Sequence, residues 1–153
     1  MDVKLINPIL SAFGEIIPQI GFQTIEKKSL SVVGSTFKYD GILISLSVVG
    51  PIKGVIMIGM DVDSAKRFAS RMMMGMEVLE FDQLAQSAVS EMGNMVCANA
   101  CTQYSKSGIA GLDISPPILM IAQGGQATLS VPKTIVIHFL VDDIEIKVYV
   151  GLV

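Results

Sequence analysis

Charge is scarce in this chain. Only 16% of its 153 residues are Asp, Glu, Lys or Arg, against 51% hydrophobic, whereas a typical soluble domain carries about 25% charged residues. Too little charge remains to coat a solvated surface, so part of the apolar surface is expected to be covered by another protein. Intrinsic disorder, which requires low hydrophobicity and high net charge, is excluded. Positive charge is not in excess: 11 Lys and Arg against 14 Asp and Glu leave a formal net charge of −3, which speaks against a basic nucleic-acid-binding face. A membrane-spanning run is also missing, since such a helix needs about 20 consecutive apolar residues. The longest charge-free stretch, Ile114–Pro132, is broken by Pro116-Pro117 and Gly124-Gly125. The opening MDVKLINPIL has neither a basic n-region nor a small-residue cleavage site, so a cytoplasmic location is expected.

The usual signs of enzyme chemistry are equally sparse. Cys97 and Cys101, the two cysteines, stand four apart in a helical segment, a spacing that suits neither a disulfide framework nor a zinc site. They read as small, partly buried thiols. The single histidine, His138, lies in the strand-like run Ile135–Val141 with no nearby carboxylate or serine elbow, so there is no triad and no metal site. Both glycine-rich phosphate-loop patterns are absent.

Periodicity nevertheless defines an ordered chain. Asn7-Pro8 can cap and start a helix whose apolar residues Ile9, Leu10, Ala12, Phe13, Ile16 and Ile17 keep helical spacing up to about Pro18. Strand-like runs follow at about Gln23–Val32, Gly41–Val49 and Gly54–Met60. The middle one, ILISLSVV, alternates apolar and Ser residues, as a strand with one buried face does. Asp61, Asp63 or Ser64 can cap a second helix reaching about Met74, and a third spans about Phe81–Ser105. Three more strands are expected at Ile118–Ala122, Thr134–Val141 and Ile144–Gly151, the last two joined by a turn at Asp142-Asp143. Grouped rather than alternating elements predict an α+β fold: a mostly antiparallel six-stranded sheet with three helices on one face. Without any linker or low-complexity segment, residues 1–153 are expected to form a single domain.

The third helix is the most informative element. From Gln83 to Ser105 its one charged residue is Glu91, although a surface helix normally covers its outer face with charge. Leu84, Ala85, Ala88, Val89, Met92, Met95, Val96 and Ala100 are expected to face the core. Gln83, Gln86, Ser87, Ser90, Asn94, Cys97 and Ala98 form the opposite face, with Glu91 at its edge. Such small, neutral side chains lose little entropy on docking against another protein. Ser87, Glu91 and Asn94, at i, i+4 and i+7, fall within roughly 60° of one another around the axis. A carboxylate can engage a cation on a partner, and a carboxamide can hold and orient a water molecule. Gly93-Asn94 in mid-helix costs roughly 1.5 kcal/mol relative to two alanines. A solvated Glu and Asn, or a helix ending at Gly93-Asn94, are the alternatives. The Met72-Met73-Met74 and Met76 cluster is either core or dimer packing, the preferred reading, or an adaptable docking surface.

The segment Ser87-Ala-Val-Ser-Glu91-Met-Gly-Asn94-Met-Val-Cys-Ala-Asn99-Ala resembles the D/S-x-x-x-E-x-x-N signature of the CheC, CheX and FliY phosphatases of bacterial chemotaxis. The order of elements along nearly the whole chain is similar to that of the CheX type. CheC carries two such helices; here the first offers Glu15-Ile-Ile-Pro18, with Pro in place of Asn, which implies a single site. The resemblance implies a hydrolase of two-component signalling, a protein phosphatase that removes the aspartyl phosphate from a CheY-like response regulator. By motif position, Glu91 would dock on the lysine of the receiver's active site and Asn94 would orient the attacking water. Ser87, Ser90 and Ala98 would contact the partner. No cofactor of its own is implied, Mg²⁺ being supplied by the phosphorylated receiver, and a homodimer joined through β-strands is implied as well. The competing expectation is a non-catalytic interaction module of the same fold, resembling a flagellar-switch scaffold or a receiver-binding regulator. A weaker one is an unrelated hydrolase with Glu91 as general base, for which no second carboxylate or His stands at suitable spacing.

Overall fold

Caps and apolar stripes set the three helices in the computed structural model, which describes residues 3–153; the first two residues, part of the leader and domain readings above, lie outside it. Helix α1 spans Asn7–Ile20 after a short 3-10 turn at Val3–Leu5. Asn7 is inside the helix rather than its cap, and the helix runs past Pro18 to a left-handed Gly21 whose N–H bonds the Pro18 carbonyl. Pro18 falls in the last turn, where losing one backbone hydrogen bond costs less than burial of Ile16 and Ile17 gains. Each fully buried Ile contributes about 1.5–3 kcal/mol. Helix α2, Val62–Met72, is capped by Asp61, which accepts from the Ser64 N–H at 2.7 Å. Helix α3, Gln83–Lys106, is capped by Asp82, which accepts from the Ala85 N–H at 2.9 Å. It continues unbroken through Gly93-Asn94.

Seven strands, one more than expected, build the sheet: β1 Ile25–Val33, β2 Thr36–Val49, β3 Gly54–Met60, β4 Asp113–Ile114, β5 Ile118–Thr128, β6 Thr134–Val141 and β7 Ile144–Leu152. The added β4 is two residues long, too short to show a period-2 pattern. Every pairing is antiparallel, in the order β1-β6-β7-β3-β2-β4, with β5 also paired to β2. Strands β2 and β5 extend beyond their expected limits because polar residues such as Lys38 and Gln126 pair at their ends. The α+β architecture is otherwise as expected.

Alternation along β2 separates two apolar layers. Ile42, Ile44, Leu46 and Val48 face the helices and join the main core with Phe13, Ile17, Phe68, Val89 and Met92. Leu43 turns the other way, into a smaller cluster with Phe37, Met57, Leu129, Val131 and Tyr149. Phe13 of α1 stacks on Phe139 of β6 at 4.4 Å between ring centroids. Phe37 and Tyr149 stack on the opposite face at 4.0 Å. Among the described residues no helix is long and apolar enough to cross a membrane.

Candidate functional site and family

Helix α3 is seated on the sheet at its midpoint, and Gly93 sets how closely. A Cβ at this position would stand 3.0 Å from Ile44 Cγ2 and 3.5 Å from Leu46 Cδ1 of β2. A side chain here would crowd the Ile44 methyl, so glycine eases the close approach of helix to sheet, and that part of the mid-helix cost has a packing cause. The C-terminal end is fixed by Tyr104, whose buried hydroxyl donates to the Leu5 carbonyl. Gln103 Nε2 ties α3 to α1 by donating to Glu15 Oε2 at 2.9 Å.

Fixing the helix in this way turns the Glu91 side outward. Glu91, Ser87 and Ala98 are exposed, and Asn94 and Ser90 are half-buried. Glu91 and Asn94 make no hydrogen bond or ion pair among the described residues, so both functional groups are available to a visitor. All five residues expected at the site thus lie on the exposed face of α3 or at its flank.

Two assignments around that face are corrected. Cys97, expected on the docking face, is fully buried. It lies about 120° from Glu91 around the axis, already under the helix where it packs on the sheet. Burial first, and Cys101 second, push its thiol pKa up to about 12, so it is inert at neutral pH. Cys101 is also raised, by partial burial and then by Asp113. Leu84, expected in the core, is 62% exposed. Seven residues make nearly two full turns, so Leu84 shares the azimuth of Glu91. The exposed stripe therefore begins one turn earlier, at Leu84, and continues through Ser87 and Glu91 to Ala98 and Thr102.

The methionine cluster divides. Met72 and Met73 pack partly against the core, whereas Met74 and Met76 are exposed. On α1, Glu15 and Pro18 are both exposed, and Glu15 is engaged by Gln103. His138 sits half-buried on β6, paired in register with Lys147. No group of three or more metal-ligating side chains occurs among the described residues. The Gly93 contact and the outward Leu84 were not recognised in the sequence. A stricter count of turns from Glu91 finds Leu84, but no sequence signal marks the contact with Ile44.

The α+β domain that carries this row matches solved structures over all or nearly all of its length. A CheC-like superfamily protein from Shewanella sp. PV-4 has a TM-score of 0.86 at 19% identity, covering 100% of this chain and 99% of that one. A CheX–CheY–BeF3–Mg²⁺ complex from Borrelia burgdorferi has a TM-score of 0.77 at 21% identity, covering 96% of each chain. In sequence, the CheY-P phosphatase CheX of Thermotoga maritima is 26% identical over 121 residues, 78% of this chain and 77% of that protein. The family model for chemotaxis phosphatase CheX matches residues 42–140. The chain belongs to the chemotaxis phosphatase CheX family, which places it among the hydrolases; the expected resemblance, enzyme class and fold are borne out.

Proposed function

We propose that this chain hydrolyses the aspartyl phosphate of a CheY-like receiver domain, with Glu91 docking on the receiver and Asn94 orienting the attacking water. The observation that carries the reading is the outward row of Ser87, Glu91 and Asn94, whose acid and amide are both unpartnered. Hydrolysis at phosphorus needs in-line positioning and neutralisation of charge more than covalent help. An amide that accepts one hydrogen of a water and donates to its oxygen fixes the direction of attack. A carboxylate against the receiver's lysine sets the register of the two proteins. Mg²⁺ comes with the receiver in this reading, in keeping with the CheX–CheY–BeF3–Mg²⁺ composition of the Borrelia burgdorferi complex. Ser87, Ser90 and Ala98 border the row as partner contacts. The absence of a local catalytic cluster is then unsurprising, because half of the site belongs to the substrate protein.

The reading extends to residues 1–153 as one cytoplasmic domain, since one main core draws on all three helices. It extends also to a homodimer. Among the described residues strand β5 pairs with β2 alone and exposes Ile118 and Ile121 beside its open edge, which a second copy could cover.

Phosphate release from receivers phosphorylated with acetyl phosphate tests the central claim. Asn94→Ala should lower the stimulated rate by about 10²–10³-fold, the effect of losing one positioning hydrogen-bond group, while binding to the receiver is retained. Wild-type stimulation by Asn94→Ala would remove Asn94 from the mechanism. Binding by the wild-type protein without release would favour the scaffold alternative.

A further inference from the structure

Resting on the proposed receiver phosphatase, we infer that the loop between α2 and α3, with the first turn of α3, forms a docking groove for the receiver. The groove would take a surface of apolar side chains flanked by Lys or Arg. It has a volume of about 350 Å³, and Met76, Leu79 and Leu84 line it together with Glu77, Glu80 and Asp82. Four of the ten large apolar side chains exposed among the described residues fall between 74 and 84: Met74 at 98%, Met76 at 60%, Leu79 at 75% and Leu84 at 62%. The loop does not need them for its own packing, because Met73, Val78 and Phe81 already hold it against the core.

Charge and continuity identify the occupant. Between Arg71 and Lys106 the chain has no Lys or Arg and carries Glu77, Glu80, Asp82 and Glu91. Asp82 is engaged in capping α3, but Glu77 and Glu80 make no ion pair among the described residues. An acidic rim around apolar side chains selects a cationic, apolar partner and repels an acidic one. Leu84 lies on the same exposed stripe as Ser87 and Glu91, one turn and two turns nearer the N-terminus of the helix. A receiver seated with its lysine against Glu91 therefore passes over Leu84 and meets the groove next. Glu91 and Asn94 act on groups any phosphorylated receiver presents, so the groove is where one receiver is told from another.

The test compares steady-state phosphate release by the full chain on the receivers encoded in the same genome, phosphorylated with acetyl phosphate. Leu79→Ala/Leu84→Ala should raise KM about tenfold, each truncated anchor contributing a few-fold, and leave kcat within about twofold. Glu77→Gln/Glu80→Gln should raise KM at low salt and flatten its dependence on salt. Val49→Ala, an exposed apolar truncation at the end of β2, should change neither constant. Thermal melting of each variant checks that the fold is kept. Release by the wild-type protein with unchanged KM in both double variants overturns the groove and leaves the phosphatase standing. Failure of the wild-type protein on every receiver overturns both. A lower sedimenting mass in Leu79→Ala/Leu84→Ala, with KM unchanged, assigns the patch to a second copy of the chain and overturns the inference.

Discussion

Replacing Glu91 by Gln isolates the charge at the centre of the row. Glu91 is exposed and unpartnered, and Glu and Gln have similar helix propensities, so the fold should barely respond. A surface change of this kind stays within about 0.5 kcal/mol, or about 1–2 °C in Tm for a chain of this size. Binding should respond strongly. A hydrogen bond to a charged group contributes about 1.5–3 kcal/mol net, and at 1.4 kcal/mol per decade its loss weakens the complex by about 10- to 150-fold. The assay is titration of a labelled, beryllofluoride-activated receiver in Mg²⁺, at low and at high salt, beside phosphate release at saturating receiver. The wild-type affinity should fall with salt and the Glu91→Gln affinity much less, because the screened pair is gone. Its rate at saturation should exceed that of Asn94→Ala, since the amide still holds the water. A Kd within twofold of wild type, with the same salt dependence, would refute the assignment of Glu91 to a lysine on the partner.

Two further predictions concern the scaffold. Asp142 accepts the N–H of Thr24 at 2.9 Å, its hydroxyl at 3.0 Å and the N–H of Gln23 at 3.2 Å, with Arg71 3.8 Å away. The Thr24 N–H foremost, then the Thr24 hydroxyl, the Gln23 N–H and Arg71, outweigh partial desolvation and hold its pKa below the ordinary carboxylate value. A lowered folded pKa means a stabilisation present above about pH 4 and lost as pH falls through the folded value. Wild type should therefore melt above Asp142→Asn at pH 7, with the gap narrowing at about pH 3; a gap that widens on acidification contradicts the linkage. For the free edge of β5, light scattering should return twice the chain mass of 16.4 kDa, and a value of one chain mass at micromolar concentration counts against the homodimer.

What could be read in the sequence follows from where the information lies. β3 and β6 have the expected limits because both are short, apolar and bounded by Gly, Pro, Lys or Asp. Asp61, one of three caps expected for α2, caps it by side-chain chemistry that is local. Asp82 caps α3 in the same way, and the helix starts at Gln83 rather than at the approximate Phe81 that the periodicity gave. Pro18 does not end α1, because the local rule against proline is outweighed by the buried isoleucines that carry the helix through it. Seven strands rather than six and Cys97 below the helix depend on neighbours distant in sequence, whereas the outward Leu84 follows from counting turns back from Glu91. β4 exists through its pairing with Val48 and Val49, and Cys97 is buried by how α3 rolls on the sheet. The row of Ser87, Glu91 and Asn94 was legible as residue types at a spacing and, from the helical phase, as lying away from the core; its meaning came through resemblance to a family, and the freedom of its acid and amide from bonds among the described residues is seen only in the structure.

That orientation connects fold to chemistry. A site of two side chains has no network of its own to hold it, so its precision must come from the element that carries it. α3 is held at its start by the Asp82 cap, at its middle by the buried Val89, Met92 and Val96, and at its end by Tyr104 and Gln103. Displacing reacting groups by about 1 Å can cost 10²-fold in rate, and Gly93 is adjacent to Asn94. The position where an added Cβ would meet Ile44 at 3.0 Å is thus one residue from the amide proposed to orient the water, while the acid proposed to meet a cation on the other protein, three residues before that amide, makes no ion pair among the described residues.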